Sequence, residues 1–292
     1  METSYLKAGQ IVAEALEFGK KLIKEGVTLL SVAKQVEDKI FQLGGKPAFP
    51  VQISKNEIAA HFCPMDEVEI VENGDLVKLD VGVHINGFIA DTACSVAIGD
   101  GNNFDLIKAS RDALNDAITK MTPGTTLGEI GAGIQEIINA YGFNPIKNLS
   151  GHQIKQYELH AGLSLPNFKN NSQVELEEGQ VFAIEPFATT GEGFVKDGKP
   201  SGIYSIIEIK PTRAGREILD FIKREYNQLP FTSRWLMKRF PEFKVSASFR
   251  FLEREGVVKQ YPQLPERTNG IVSQAEHTVI VKRKPLVITK II

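Results

Sequence analysis

The chain has 292 residues, 42% hydrophobic and 24% charged, enough for one large domain or two ordinary ones in a globular protein. Its formal net charge of −2 gives no global positive field for a phosphate backbone, so no nucleic-acid partner is expected. Its cysteines, Cys63 and Cys94, sit in no ligand-like spacing, which argues against a disulfide framework or thiolate zinc site and predicts two small reduced core residues.

The first thirty residues read as an amphipathic helix without the apolar stretch or cleavage site of a signal peptide. No run reaches the roughly 18 apolar residues that span a membrane, so no membrane partner is expected and the cytoplasm is the predicted location. Ile11, Ala15, Leu16, Phe18, Leu22 and Ile23 recur at helical spacing, predicting a helix from about Leu6 to Lys24 that Gly26 ends. A second helix is predicted from Ser31 to Leu43, before Gly44 and Gly45.

A strand-rich stretch follows from Pro47 to Gly99. Its clearest feature is Asn86-Gly87 between two alternating runs, a type I′ hairpin signal because both residues accept positive φ. Helices are then predicted over Asn103–Met121 and Leu127–Tyr141, and a turn, strand and loop over Val174–Thr189. Between Thr212 and Arg267 a charged, aromatic-rich block interrupts the β pattern. It carries helical stretches at Arg213–Asn227 and Ser233–Phe240 and a third near Ala247–Glu255. The β pattern resumes as one strand over Ile271–Val281. The predicted division is therefore a main domain of residues 1–210 plus 268–292 with an inserted subdomain of residues 211–267.

A two-residue Asn86-Gly87 loop pairs Ile85 with Phe88, which puts Asp80 opposite Ala93 and Asp91 opposite Gly82. Cross-strand partners share a face, so Asp80 and Asp91 are diagonal neighbours roughly 7–8 Å apart at the backbone. The other face carries Val77, Leu79, Val81 and Val83 and anchors the hairpin in a core. Converging carboxylates at a buried site must take up a proton or find a cation, whereas on a solvated face they need neither. The pair alone fits either environment. Aspartate is, however, a poor strand former, and here two stand on one hairpin face.

Other ionisable residues sit amid apolar strand. Glu185 ends Val181-Phe-Ala-Ile-Glu before Pro186, and Glu276 lies within Ile271–Val281. His152 follows Gly151 in a predicted loop, with His160 eight residues on. Oxygen-rich ligation with one imidazole suits borderline divalent ions, and bridging carboxylates suit a dinuclear centre. His84 and His277 are read as structural, His277 facing away from Glu276.

These segments together (LDVGVHINGFIADTA, GHQI, ELHAG, FAIEPF and QAEHTV) resemble the successive motifs of the type II methionine aminopeptidases, from Ala48-Phe49-Pro50 to the last strand. The resemblance implies an α/β (α+β) pita-bread fold. That is a pseudo-symmetric, curved antiparallel sheet flanked by helices, here with an inserted helical subdomain resembling a winged helix. It implies two divalent ions (cobalt, manganese, iron or zinc) held by Asp80, Asp91, His152, Glu185 and Glu276, with Asp91 and Glu276 bridging. His61 and His160 match the substrate-contacting histidines, and Phe49, Leu159, Ile203 and Tyr261 fall where the family lines its methionine pocket. The absence of a long N-terminal extension resembles the archaeal form.

The implied activity is removal of the initiator methionine from peptides and nascent proteins, with a small second residue preferred. A metal-bridged hydroxide attacks, and Glu185 is the general base. A monomer acting in the vicinity of the ribosome is expected. Rival expectations are a prolidase-like Xaa-Pro peptidase and a silent pita-bread binding protein. A nucleic-acid-reading insertion is disfavoured because Glu217, Glu225, Glu242, Glu253 and Glu255 interleave with Lys223-Arg224 and Lys238-Arg239.

Overall fold

The computed structural model describes residues 1–99, 103–208 and 215–290. Helices Glu2–Leu22 and Leu29–Gln42 lead the chain, and the Thr28 side chain caps the second by accepting from the Ser31 N–H. Their apolar stripes bury against one face of the hairpin formed by Leu76–Ile85 and Phe88–Ala97. Val12, Ala15, Val32 and Val36 meet Val77, Leu79, Val81 and Val83 in one core. The turn is as expected: Asn86 and Gly87 have φ of 52° and 84°, and Asp80 pairs with Ala93 and Asp91 with Gly82.

Helices Phe104–Thr119 and Leu127–Ala140 follow, the latter entered through a reciprocal Thr126–Glu129 capping box. They cover a second core that includes Leu114, Ile130, Ile134, Phe182, Ile184 and Val279. Behind it lies a five-stranded antiparallel sheet ordered Leu286–Val287, His277–Ile280, Val181–Ile184, Ser150–Ile154, Ser164–Pro166. Each half of the molecule thus places a helix pair against an antiparallel sheet, the layering of a pita-bread fold.

Two sequence expectations need correction. His152 does not lie in a loop but within the strand Ser150–Ile154, paired with Ser164 on one side and Ala183 on the other. Nor is Ile271–Val281 one strand: it divides into Val272–Gln274, which pairs with Phe187–Thr189, and His277–Ile280, which pairs with Val181–Ile184. Ala275 and Glu276 occupy the break because the chain there turns to bond the hairpin instead. Glu276 N–H donates to Ala93 O at 3.0 Å, and Thr92 Oγ1 donates to Glu276 O at 2.7 Å.

Strand Pro200–Ile206 is the centre of a smaller sheet with Phe231–Thr232 and Val258–Pro262. Helices Arg216–Tyr226, Ser233–Met237 and Glu242–Arg254 share with it a core of Ile218, Ile222, Phe231, Leu236, Phe249 and Leu252. The start expected for this block, including Arg213, lies outside the described residues. One buried ion pair ties the block to the second helix: the Arg234 guanidinium donates to both Glu37 oxygens at 2.7 and 2.8 Å, and Trp235 Nε1 donates to the same carboxylate. Neither cysteine is paired; Cys63 is buried and Cys94 half-buried.

Candidate metal centre and substrate cavity

The hairpin face carrying Asp80 is not solvated. Lys78, two residues before Asp80, is fully buried and donates to Asn56 O and Val272 O, both at 2.9 Å. Burial pushes its amine down to about 7. Asp91 and Glu276 are buried, whereas Asp80 and Glu185 open partly onto a cavity of about 330 Å³.

Asp91, His152 and Glu276 each offer a ligand atom within 4.8 Å of the others. His152 Nε2 lies 3.7 Å from Asp91 Oδ2 and 3.6 Å from Glu185 Oε1. Burial, with His160 next to it, drives the His152 pKa down to about 3, so the ring is neutral and these contacts are not ion pairs. Gly151 makes the approach feasible: a Cβ there would sit 2.5 Å from Ala183 O.

The carboxyls press on one another. Burial raises Asp80 to about 7. Burial first, then the charges of Asp80 and Glu185, lift Asp91 well above the ordinary carboxylate range. Glu185 and Glu276 rise for the same reasons, Glu276 with Asp91 as its main charged neighbour. Among the described residues no lysine or arginine pairs with them. Asp80 Oδ1, Asp91 Oδ1 and Glu276 Oε2 are buried without a hydrogen-bond donor, although buried carboxylate oxygens are ordinarily satisfied. Buried carboxyls without donors beside a neutral imidazole are what a divalent cation needs, and the donor set suits a hard-to-borderline ion. The residues therefore fit a metal.

Every site residue named from the sequence borders the same cavity. His61, His160, Phe49, Leu159, Ile203 and Tyr261 line it beside the acids. The His61 and Tyr261 rings meet edge to face at 5.5 Å, and the His152 and His160 rings lie 4.3 Å apart. His61 is held near 4 by burial and is neutral. His84 and His277 stay out: His84 Nδ1 accepts the Gly87 N–H in the hairpin turn, and His277 Nδ1 contacts Thr289 Oγ1 at 2.8 Å.

Sequence reasoning missed Gln52 and Pro230 in the cavity wall and Gln274 as a donor to Glu185, at 3.5 Å. Gln52 stands directly opposite Asp80 across the sheet. Pairing of that strand with the hairpin could have exposed it, but nothing local in the sequence fixes that register.

The model of metallopeptidase family M24 matches residues 3–282. A methionine aminopeptidase of Pyrococcus abyssi is 47% identical over 289 residues, covering 97% of both chains. That of Methanocaldococcus jannaschii is 45% identical, covering 97% of this chain and 96% of the relative. Among solved structures, a thermophilic Arx1 superposes with a TM-score of 0.84 at 16% identity, covering 98% of this chain and 90% of that one. The methionine aminopeptidase of Thermotoga maritima superposes at 0.73 with 24% identity, covering 100% and 98%. These structural likenesses, at low identity, concern the fold.

Proposed function

Because the chain belongs to metallopeptidase family M24, we propose that the cavity binds the free N-terminus of a peptide and cleaves after its first residue, methionine. The chain is a metal-dependent aminopeptidase that removes the initiator methionine. The observation that carries the site reading is that Asp80, Asp91 and Glu276, each with a buried carboxyl oxygen lacking a hydrogen-bond donor, line one cavity together with the His152 imidazole.

In this reading Asp80, Asp91, His152, Glu185 and Glu276 would hold two divalent ions. Cobalt, manganese, iron and zinc are all compatible with the ligands. Bound there, such ions supply Lewis-acid polarisation of the scissile carbonyl and a water acidic enough to act at neutral pH. Glu185 would take up the proton released in the attack and pass it to the leaving amine, a role supported by its place at the cavity edge. His160, exposed at the mouth, donates to the carbonyl oxygen as charge develops. His61 orients the peptide unit that follows.

Phe49, Leu159, Ile203 and Tyr261 form the wall against which the flexible thioether side chain packs. A second residue of small size is preferred. Residues 211–267 are read as an inserted subdomain that closes this wall through Pro230 and Tyr261. Two unpaired thiols suit the reducing cytoplasm, where nascent N-termini emerge near the ribosome.

Prolidases share the fold: that of Pyrococcus furiosus superposes with a TM-score of 0.65 at 20% identity, and this chain covers 64% of its length. Metal-reconstituted protein given Met-Ala and Xaa-Pro peptides separates the two activities. Release of methionine from Met-Ala peptides with Xaa-Pro peptides intact is expected. The opposite preference would overturn the assignment.

A further inference from the structure

We infer that Gln52 is a positioning residue that fixes the His61 backbone, so that the ring keeps its contact with Pro262 O and the orientation with which it meets the peptide unit following methionine. The inference rests on the reading of His61 as a substrate contact. Three observations carry it.

First, His61 is a non-glycine residue in the left-handed region, with φ of 65°. Such a backbone is unfavourable for a side chain bearing Cβ and persists where neighbours enforce it. The enforcing contact is Gln52 Oε1, which accepts the His61 backbone N–H at 2.8 Å. One residue further along the same strand, Ile53 N–H donates to Phe62 O at 2.9 Å. The strand Gln52–Lys55 thus grips consecutive residues of the bend.

Second, the grip is built on the metal-binding hairpin. Gln52 pairs directly with Asp80, is nearly buried and lines the same cavity as His61. Its carboxamide therefore relates the position of His61 to that of the acids.

Third, the ring has only one way to use its nitrogens. His61 Nδ1 lies 3.3 Å from Pro262 O, and a carbonyl can only accept. Nδ1 therefore carries the hydrogen, and Nε2 of the neutral ring is an acceptor. An acceptor at this place suits the N–H of the residue after methionine and does not suit the carbonyl oxygen. The two histidines then divide the work, His160 serving the carbonyl and His61 the N–H. Loss of the Gln52 oxygen frees the bend, and His61 Nε2 loses its aim.

Gln52→Met keeps the volume and removes the acceptor. The expected result is an unchanged metal content with kcat on a Met-Ala peptide reduced on the order of 10²-fold, the scale of a misplaced contact near the reacting bond. In a His61→Ala background the same change should cause no further loss, because both act through one ring. An ester analogue with oxygen in place of the scissile N–H should be cleaved alike by wild type and Gln52→Met. Ring carbon shifts should show His61 as the Nδ1–H tautomer in wild type and a mixture in Gln52→Met. If that variant does not fold, Gln52→Asn withdraws the oxygen by one methylene and should give the same pattern at smaller size.

A wild-type rate in either variant, additive losses with His61→Ala, an equal loss on the ester, or loss of metal would overturn the assignment. A wild-type rate for His61→Ala alone would instead remove the reading of His61 on which it stands, leaving the peptidase assignment to be judged by methionine release.

Discussion

Asp91 and Thr278 exchange a reciprocal pair of hydrogen bonds: the Asp91 N–H donates to Thr278 Oγ1 and Thr278 Oγ1 donates to Asp91 O, both at 2.8 Å. One hydroxyl thereby joins the hairpin of the first half to the strand His277–Ile280 of the second. Flanking bonds extend the seam, with Ser95 Oγ both donating to Gln274 O and accepting from Gln274 N–H at 2.8 Å. Asp91 lies on the hairpin and Glu276 directly precedes the strand His277–Ile280, so their convergence depends on this seam. Thr278→Val keeps the shape but leaves both Asp91 backbone groups unpaired. That costs about 1–3 kcal/mol. Metal affinity should fall roughly 10- to 100-fold, as for other groups that support ligands. Metal titration and thermal unfolding check both numbers.

Asp91→Asn tests the ligand itself. The amide removes a charge that its neighbours oppose and leaves the apolar cores untouched. The variant should fold, with a melting temperature in the absence of metal no lower than that of wild type. Metal content and methionine release should fall together, by more than the roughly 100-fold of a supporting residue. Full activity with an unchanged metal load would contradict the assignment.

The acids also predict an unusual pH dependence. Their folded pKa values lie above the unfolded ones, with Asp80 raised from 3.8 to about 7. Between those values the folded state binds more protons than the unfolded state, so the metal-free protein loses stability as pH rises through the window. A divalent ion occupies the same oxygens and reverses the trend, because its binding requires their ionised form. Melting temperatures of chelator-treated and metal-loaded protein should draw apart from about pH 4 to about pH 7, the window between the unfolded and folded Asp80 values. All other titrating groups are common to the two forms and cancel. A constant difference would contradict the account.

Gly82 stands opposite Asp91 and beneath the pocket wall. A Cβ at this position would sit 2.2 Å from Phe49 Cε1, so Gly82→Ala must displace the ring. Overpacking of this kind costs about 1–3 kcal/mol. KM for methionyl peptides should rise with metal content unchanged. Steady-state kinetics and metal analysis separate this from a ligand defect.

The hairpin was legible because both of its determinants are local. Asn86-Gly87 sets the turn, and the alternation from Val77 to Val83 sets the face, so the relation of Asp80 to Asp91 follows by counting. The burial of the acid face was not legible, since it depends on Lys78 reaching Val272 from the other half of the chain. His152 was misplaced because Ser-Gly-His-Gln-Ile carries little strand propensity. Its strand exists through pairing on both edges, and Gly151 is needed for the close approach to Ala183. The break at Glu276 was hidden for the opposite reason. The run from Ile271 to Val281 is apolar at both ends with no glycine or proline to mark a break, and the tertiary bonds to Ala93 and Thr92 divert it. The role of Gln52 required long-range register and a backbone angle, neither of which composition records.

Acids from both halves of the molecule and one imidazole gather where divalent cations would bind. The most direct test is titration of chelator-stripped protein with manganese or cobalt while bound metal and methionine release from a Met-Ala peptide are followed together. Activity that is absent in the stripped protein and rises as up to two ions enter per chain, with both responses lost in Glu276→Gln, is the predicted result. Methionine release at the full rate from protein holding no metal would contradict it.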